Sequence, residues 1–317
     1  MQFRKFIPSA RIILPGLLSL FLVSCDKDDD DTTPTDTTIT GLVVADNNFS
    51  LLEQAVVKAD LAATLRGAGP FTVFAPDNAA FTASGLDGTD INALSQADAS
   101  KILLYHAIPS EIMSANVPNG PNAKVVTAGG DSVFVTKNAS GVFVNGVKVT
   151  QADIDASNGV IHKIEKVLMP AAGNTVETAV AAGLDSLVKA VTRATTAPGG
   201  DPSLAATLGS ARLTVFAPTN AAFTALLSAL SLNNINDIPV ATLLAVLRYH
   251  VVAGRAFSSD LANGPLAMLA GGNTTVSLTG GAKITGSGNS GNASNIVATN
   301  IVTRNGVVHL IDRVLLP

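Results

Sequence analysis

Apolar residues gather in three kinds of run along this chain. The first is a single block near the amino terminus, Ile12 to Val23, about a dozen residues long and preceded by Arg4, Lys5 and Arg11. A membrane span needs roughly twenty apolar residues, whereas the core of a signal peptide needs about 7–15, so length assigns this block to a signal peptide. The second kind is short, β-branched and aromatic. Val133-Phe134-Val135-Thr136, Val142-Phe143-Val144, Thr275-Val276-Ser277-Leu278 and Ile296-Val297-Ala298 predict strands, and Val73-Phe74 and Val215-Phe216 predict buried strands stopped by Pro76 and Pro218. The third kind has helical spacing: Lys101-Ile102-Leu103-Leu104 and the run Leu243 to Arg248 place a core-facing stripe on helices that lead into Tyr105-His106 and Tyr249-His250. Helices and strands together give an α+β protein.

These elements come twice. Thr72-Val73-Phe74-Ala75-Pro76-Asp77-Asn78-Ala79-Ala80-Phe81 returns as Thr214 to Phe223, differing only at Asp77/Thr219, at an offset of 142 (214 − 72). Leu61 to Leu65 returns as Leu204 to Leu208 at 143 (204 − 61), and Tyr105-His106 as Tyr249-His250 at 144 (249 − 105). Asn119-Gly120-Pro121 returns as Asn263-Gly264-Pro265, and the block Asn158 to Pro170 as Asn305 to Pro317 at 147 (305 − 158). Kept order with a slowly drifting offset is the mark of a duplicated domain, since solenoid repeats have periods of about 20–50 residues. The boundary falls after Pro170, giving domains at 39–170 and 171–317. Asp77 and Thr219 share the capacity to cap a helix amino terminus, so the first block reads mostly as architecture. Thr195 to Pro202, rich in Pro and Gly, has no counterpart in the first copy and reads as a surface loop.

The repeated blocks resemble the two signature motifs of the fasciclin domain family, the Thr-Val-Phe-Ala-Pro-Asp/Thr-Asn-Ala-Ala-Phe segment and the closing Asn-Gly-Val-Ile/Val-His segment that ends in Val-Leu-Met/Leu-Pro, with the central Tyr-His matching too. The resemblance covers essentially all of both copies. It implies tandem fasciclin-like domains, each a β-wedge of two small sheets packed with several helices. It also implies an adhesion module, and a link between the Tyr-His region and partner recognition that maps onto Tyr105, His106, Tyr249 and His250.

The amino terminus sets the compartment. Leu22-Val23-Ser24-Cys25 resembles the lipobox of bacterial lipoproteins, so residues 1–24 are expected to be removed and Cys25 to be lipidated; it is the chain's single cysteine, leaving no thiol for a disulfide or a metal. Residues 25–38, Asp- and Thr-rich with nothing to bury, read as a flexible tether. The Lys27 and acidic run behind Cys25 resembles a tag for the outer face of the outer membrane, which places the protein at the cell envelope, anchored in a membrane by its lipid and facing the exterior.

Charge and composition remove several function classes. At net charge −4 with pI near 5.5 the chain has no basic footprint for nucleic acid. Four histidines, His106, His162, His250 and His309, sit in the repeated blocks without a His-x-x-His pair or a nearby third ligand, so they read as hydrogen-bonded structural groups, with a binding surface at Tyr-His as the alternative, and neither a metal nor any other cofactor is expected. No Gly-x-Ser-x-Gly is present. Gly286-Ser287-Gly288-Asn289-Ser290-Gly291 fits a dinucleotide fingerprint by spacing, but a strand-like run follows it where a helix start is required. Asp153, Asp155 and Glu165 read as surface carboxylates, the second copy showing Ile301-Val302-Thr303 in the region of Asp153 and Asp155. The expected function is therefore non-catalytic adhesion to an extracellular protein or polysaccharide. The alternative is capture of a small molecule or glycan for uptake. The loops 195–202 and 280–295, which differ between copies, are a second candidate contact surface.

Overall fold

A computed structural model describes residues 36–317, which form one compact unit. The expected signal peptide (1–24), Cys25 and the tether through residue 35 lie outside the described residues. Residues 36–38, expected to belong to the tether, are instead tied to the first domain. Asp36 accepts from the Thr38 backbone N–H at 3.1 Å and pairs with Arg66 at 2.8 Å, and the Thr38 side chain caps the first helix. Among the described residues no helix is long and apolar enough to cross a membrane.

The first copy begins with helices α1 (Ile39–Ala45), α2 (Ser50–Lys58) and α3 (Ala62–Arg66), strand β1 (Phe71–Pro76), then α4 (Asn78–Ala83), α5 (Gly88–Ala93) and α6 (Gln96–His106). Strands β2 (Ala107–Ile108), β3 (Gly120–Val126), β4 (Ser132–Asn138), β5 (Gly141–Val144), β6 (Val147–Ala156) and β7 (Gly159–Ile164) complete it. The second copy runs α7 (Thr175–Ala181), α8 (Asp185–Thr196), α9 (Pro202–Ser210), β8 (Leu213–Pro218), α10 (Asn220–Ala229) and α11 (Val240–Arg248). It ends with β9 (Val251–Ala253), β10 (Gly264–Ala267), β11 (Asn273–Ser277), β12 (Lys283–Thr285), β13 (Ser294–Thr303) and β14 (Gly306–Ile311). The predicted strands and the helices leading to Tyr-His are all present. The stretch read as a loop at Thr195 to Pro202 is shorter than expected, because α8 runs through Thr196 and Asp201 caps α9, with Pro202 in its first turn where no backbone donor is needed.

In each copy the strands follow one order, β2-β1-β7-β6-β5-β4-β3 and β10-β11-β12-β13-β14-β8-β9. One long strand divides that order into a wedge of two sheets. Val147 and Lys148 of β6 pair with β5, and from Val149 onward the strand pairs with β7, with register shifts after Val149 and after Gln151. Strand β13 does the same between β12 and β14. Bulges of this kind bend a strand enough to let it serve two sheets.

The centre of each domain is a parallel pair, β1 with β7 and β8 with β14, in register Val73↔Ile161 and Val215↔Val308. Alternation assigns their faces. Val73, Ala75 and Ile161 pack toward the helices, while Phe74 and Ile164 fill the wedge with Val133, Val135 and Val144. Val215 and Val308 against Phe216 and Ile311 repeat the arrangement.

The repeated Asn-Gly makes the parallel pair possible. Asn158 donates to the carbonyls of Leu65 and Gly67 and accepts from the Ile39 N–H, so one amide joins the end of α3 to the start of α1. Asn305 does the same with Leu208, Ala211 and Thr175. Gly159, at φ 149°, and Gly306 lie so close to the carbonyl oxygens of Phe71 and Leu213 that any Cβ would overlap them.

Candidate functional site

Each Tyr-His closes a helix at the mouth of the wedge. The His106 Nδ1 meets the Ile102 carbonyl one turn back at 2.8 Å, and its Nε2 accepts the Leu168 N–H at 2.8 Å. His250 repeats this with the Val246 carbonyl at 2.7 Å and the Leu315 N–H at 2.9 Å. These partners fix the proton on Nδ1. Burial pushes both imidazoles down to about 4. The Tyr-His and Val-Leu-x-Pro motifs thus occur together because the imidazole of one binds the backbone of the other.

Tyr105 donates to the Ser132 carbonyl at 3.2 Å and accepts from the Asn145 amide at 2.9 Å, and burial pushes its phenol up to about 12. Tyr249 donates to the Asn273 carbonyl at 2.6 Å. Tyr105, His106, Tyr249 and His250 are 2, 2, 1 and 2% exposed. The structure therefore gathers each pair inside its own domain; Tyr105 alone of the four borders the cleft between the domains, and direct contact of a macromolecule with His106, Tyr249 or His250 would require the helix–sheet junction to open.

The other two histidines tie the bulge of the long strand to the loop that follows β2 or β9. His162 Nδ1 accepts the Asp153 N–H and its Nε2 donates to the Ile112 carbonyl at 2.8 Å. His309 does the same with the Asn300 N–H and the Ala256 carbonyl, and burial lowers its pKa. This pairing makes Asn300 the counterpart of Asp153, one residue before the stretch expected from the sequence; both adopt positive φ at the bulge of the long strand. Thr72 and Thr214 complete the network: each hydroxyl donates to a loop carbonyl, Ser110 or Gly254, and accepts the N–H of Ile112 or Ala256. Asp77 and Thr219 cap α4 and α10 as expected. Among the described residues no group of three or more His, Cys, Asp or Glu converges.

Sequence reasoning missed the junction between the domains. Asn122 donates to the Arg255 carbonyl at 2.8 Å and to Asp260 at 3.1 Å, and Thr136 donates to the other Asp260 oxygen at 3.1 Å. Asn138 donates to the Ser259 carbonyl and Asn300 to that of Gly146. The Arg255 guanidinium lies 3.9 Å from the centroid of the Phe134 ring, which also packs near Phe257. A cleft opens beside these contacts, with Tyr105, Lys124 and Asp131 on one wall and Arg212, Arg255 and Arg304 on the other. No periodicity marks these residues. A contrast between the copies would have found three of them, because Arg212, Arg255 and Arg304 stand where the first copy has Pro70, Glu111 and Ser157.

Two β-wedges, each closed by a helical layer and locked by the same buried Thr, His and Tyr contacts, define a tandem α+β module. The chain belongs to the fasciclin family, whose Fasciclin domain matches residues 47–170 and 188–317. The protein sll1483 of Synechocystis sp. is 43% identical over 142 residues, covering 43% of this chain and 76% of that protein. The transforming growth factor-beta-induced protein ig-h3 of Sus scrofa is 36% identical over 145 residues, covering 46% of this chain and 21% of that longer protein. A FAS1 domain pair from the insect cell adhesion molecule fasciclin I aligns over 88% of this chain and 96% of that one, at 18% identity and a TM-score of 0.40.

Proposed function

We propose that this protein is a lipid-anchored, non-catalytic adhesion module of the cell surface, held through Cys25 and binding an extracellular protein or polysaccharide. The observation that carries this reading is where the repeated chemistry goes. The four histidines, both tyrosines and the motif threonines are taken up by buried hydrogen bonds that hold the wedges, so contact with a partner falls to surfaces that differ between the copies. The Tyr-His pairs then act indirectly, by fixing the mouth of each wedge. Family membership supports the adhesion reading, as fasciclin domains occur in an insect cell adhesion molecule. The lipobox-like run before Cys25 and the acidic stretch after it support the anchor and an outward-facing position in the outer membrane.

The test is to express the full chain on an otherwise non-adhesive bacterial host and score attachment to matrix proteins, polysaccharides and cells, beside a Cys25→Ala variant. Selective attachment that disappears when Cys25→Ala releases the protein from the envelope supports the reading. Attachment to nothing, together with retention of a soluble small ligand, would replace it with the uptake reading. Acyl labelling that persists in the variant would remove the anchor.

A further inference from the structure

The cleft between the domains has a volume of about 1050 Å³ and a charge unlike that of the chain. The whole protein carries 20 basic and 24 acidic residues, yet the charged side chains lining the cleft are Lys124, Arg212, Arg255 and Arg304 against the single carboxylate of Asp131. They come from four separate segments: β3, the approach to β8, the loop after β9, and the turn between β13 and β14. Among the described residues Lys124, Arg212 and Arg255 have no carboxylate at ion-pair distance, and Arg304 reaches only Glu177, at 3.9 Å with both side chains exposed.

Arg255 is held in place by the Phe134 ring and by the Thr303 and Gly306 carbonyls, each at 3.4 Å. Burial, and after it the charge of Arg212, hold its guanidinium below the ordinary value. Arg212 and Arg255, near enough for the charge of one to act on the other and without a carboxylate at ion-pair distance among the described residues, repel one another, and an anion in the cleft would relieve that repulsion. The three arginines also belong to one copy alone. The matched hydrogen bonds of Thr72 and Thr214 set Glu111 opposite Arg255, and the matched strands and turns set Pro70 opposite Arg212 and Ser157 opposite Arg304. The charge therefore belongs to the junction rather than to the repeated fold.

We propose that this cleft is the docking groove for an acidic polysaccharide, whose uronate carboxylates or sulfate groups seat against Lys124, Arg212 and Arg304 beside the fixed guanidinium of Arg255. This deepens the adhesion reading and rests on it. The volume lies at the upper end of the roughly 300–1,000 Å³ of sites for drug-sized ligands, and cations on both domains match anionic groups repeated along a chain better than one anion. Arginine suits both groups, since its planar fork meets carboxylate or sulfate oxygens in pairs. Between the cations the wall mixes small and polar residues, among them Asn122, Ser132, Ser210 and Gly254, with the rings of Tyr105 and Phe134. That suits sugar hydroxyls better than peptide side chains, whose docking depends on pockets. A flat bilayer surface cannot reach into a recess between two domains.

The test measures binding of the full-length protein to oligogalacturonate, which offers carboxylates, and to dextran sulfate, with neutral dextran and polyglutamate as contrasts. The variants are Arg212→Ala combined with Arg304→Ala, and Lys124→Ala; all three side chains are exposed, and a thermal melt checks the fold. One or both anionic polysaccharides should bind, more tightly at low salt, and which one binds identifies the group recognised. Affinity should fall about tenfold or more in the double variant and less for Lys124→Ala, while neutral dextran does not bind. Unchanged affinity in the folded variants overturns the proposal, as does binding of neither polysaccharide or equal binding of polyglutamate. Attachment to cells or matrix without binding of either polysaccharide removes the groove and leaves adhesion standing, whereas failure of both removes both.

Discussion

At the bulge of β6, Asp153 binds within its own domain, accepting the N–H and hydroxyl of Ser114. At the matching bulge of β13, Asn300 accepts the Ser258 N–H in the same way, but its amide nitrogen donates to the Ser258 hydroxyl and across the junction to the Gly146 carbonyl. One change, from acceptor-only to acceptor and donor, turns an internal brace into a bridge between domains. The arginines of the cleft tell the same story, being present in the second copy and replaced by Pro70, Glu111 and Ser157 in the first. What the copies share holds each wedge together; what they do not share joins the wedges and lines the cleft.

The sharpest way to break that comparison is to damage the shared frame in one copy at a time. Gly159→Ala and Gly306→Ala each force a methyl onto a strand carbonyl that cannot move aside. Each should destabilise its own copy by about 5 kcal/mol, close to the whole stability of a domain. Chemical denaturation of the two variants should show equal losses; a large loss in one copy and none in the other would show that the copies do not share this frame.

Acid tests the frame more gently. His106 and His250 titrate near 4 in the folded protein against 6.5 when exposed, so between those values the unfolded chain binds protons that the folded chain refuses. Stability is therefore full above about pH 6.5 and is lost as pH falls toward 4, on the order of 3 kcal/mol for each histidine. Urea midpoints across this range should drop, and His106→Gln or His250→Gln, though less stable at pH 7, should each flatten the slope. A pH-independent midpoint in the unaltered protein would overturn the assignment of neutral, proton-refusing imidazoles.

Much of the frame was legible because duplication wrote it twice. The strands, the helices before Tyr-His, the caps at Asp77 and Thr219 and the domain count all follow from local pattern or from matching one copy to the other. Asn78 was invisible, since its amide binds the Leu51 N–H and the Asn47 carbonyl across a fold that spacing does not describe. The parallel pairing of β1 with β7 was hidden for the same reason, with the remaining elements of the domain lying between the two strands. The Tyr-His pairs were visible as repeats and their histidines as structural groups, but the burial of the tyrosines could not be separated from a surface position, because a tyrosine at a helix end fits either. The cleft lay outside any reading by similarity: its arginines are unremarkable singly, and only folding brings positions 124, 212, 255 and 304 to one place.

Breaking the junction should cost less than breaking the frame. Asp260 accepts from Asn122 and Thr136 of the first domain and from the Phe257 N–H of its own. Asp260→Ala leaves Thr136 without its acceptor across the junction and Asn122 with the Arg255 carbonyl alone, and should weaken domain coupling by about 2 kcal/mol. In calorimetry a single transition should separate into two, with the melting of each domain little changed. A uniform shift of one intact transition would place Asp260 in the frame of the second domain rather than at the junction.

The smallest effect distinguishes the two bulges themselves. Asn300→Asp keeps the acceptor that binds the Ser258 N–H but lacks the amide donor to Gly146, and it sets a carboxylate facing that carbonyl oxygen. The expected loss is about 1 kcal/mol, confined to coupling. The reciprocal Asp153→Asn adds a donor at a bulge that faces no second domain; it retains the acceptor for the Ser114 N–H and should leave the junction untouched. Scattering profiles and limited proteolysis at the linker around Ala171 would read the difference: faster cleavage for Asn300→Asp and an unchanged rate for Asp153→Asn. If both substitutions loosen the linker equally, the bulges act through their strands and not across the junction. If neither does, the contacts of Asn122, Thr136 and Asp260 hold the pair without Asn300. The separation of roles between the two copies would then rest on the arginine cleft alone.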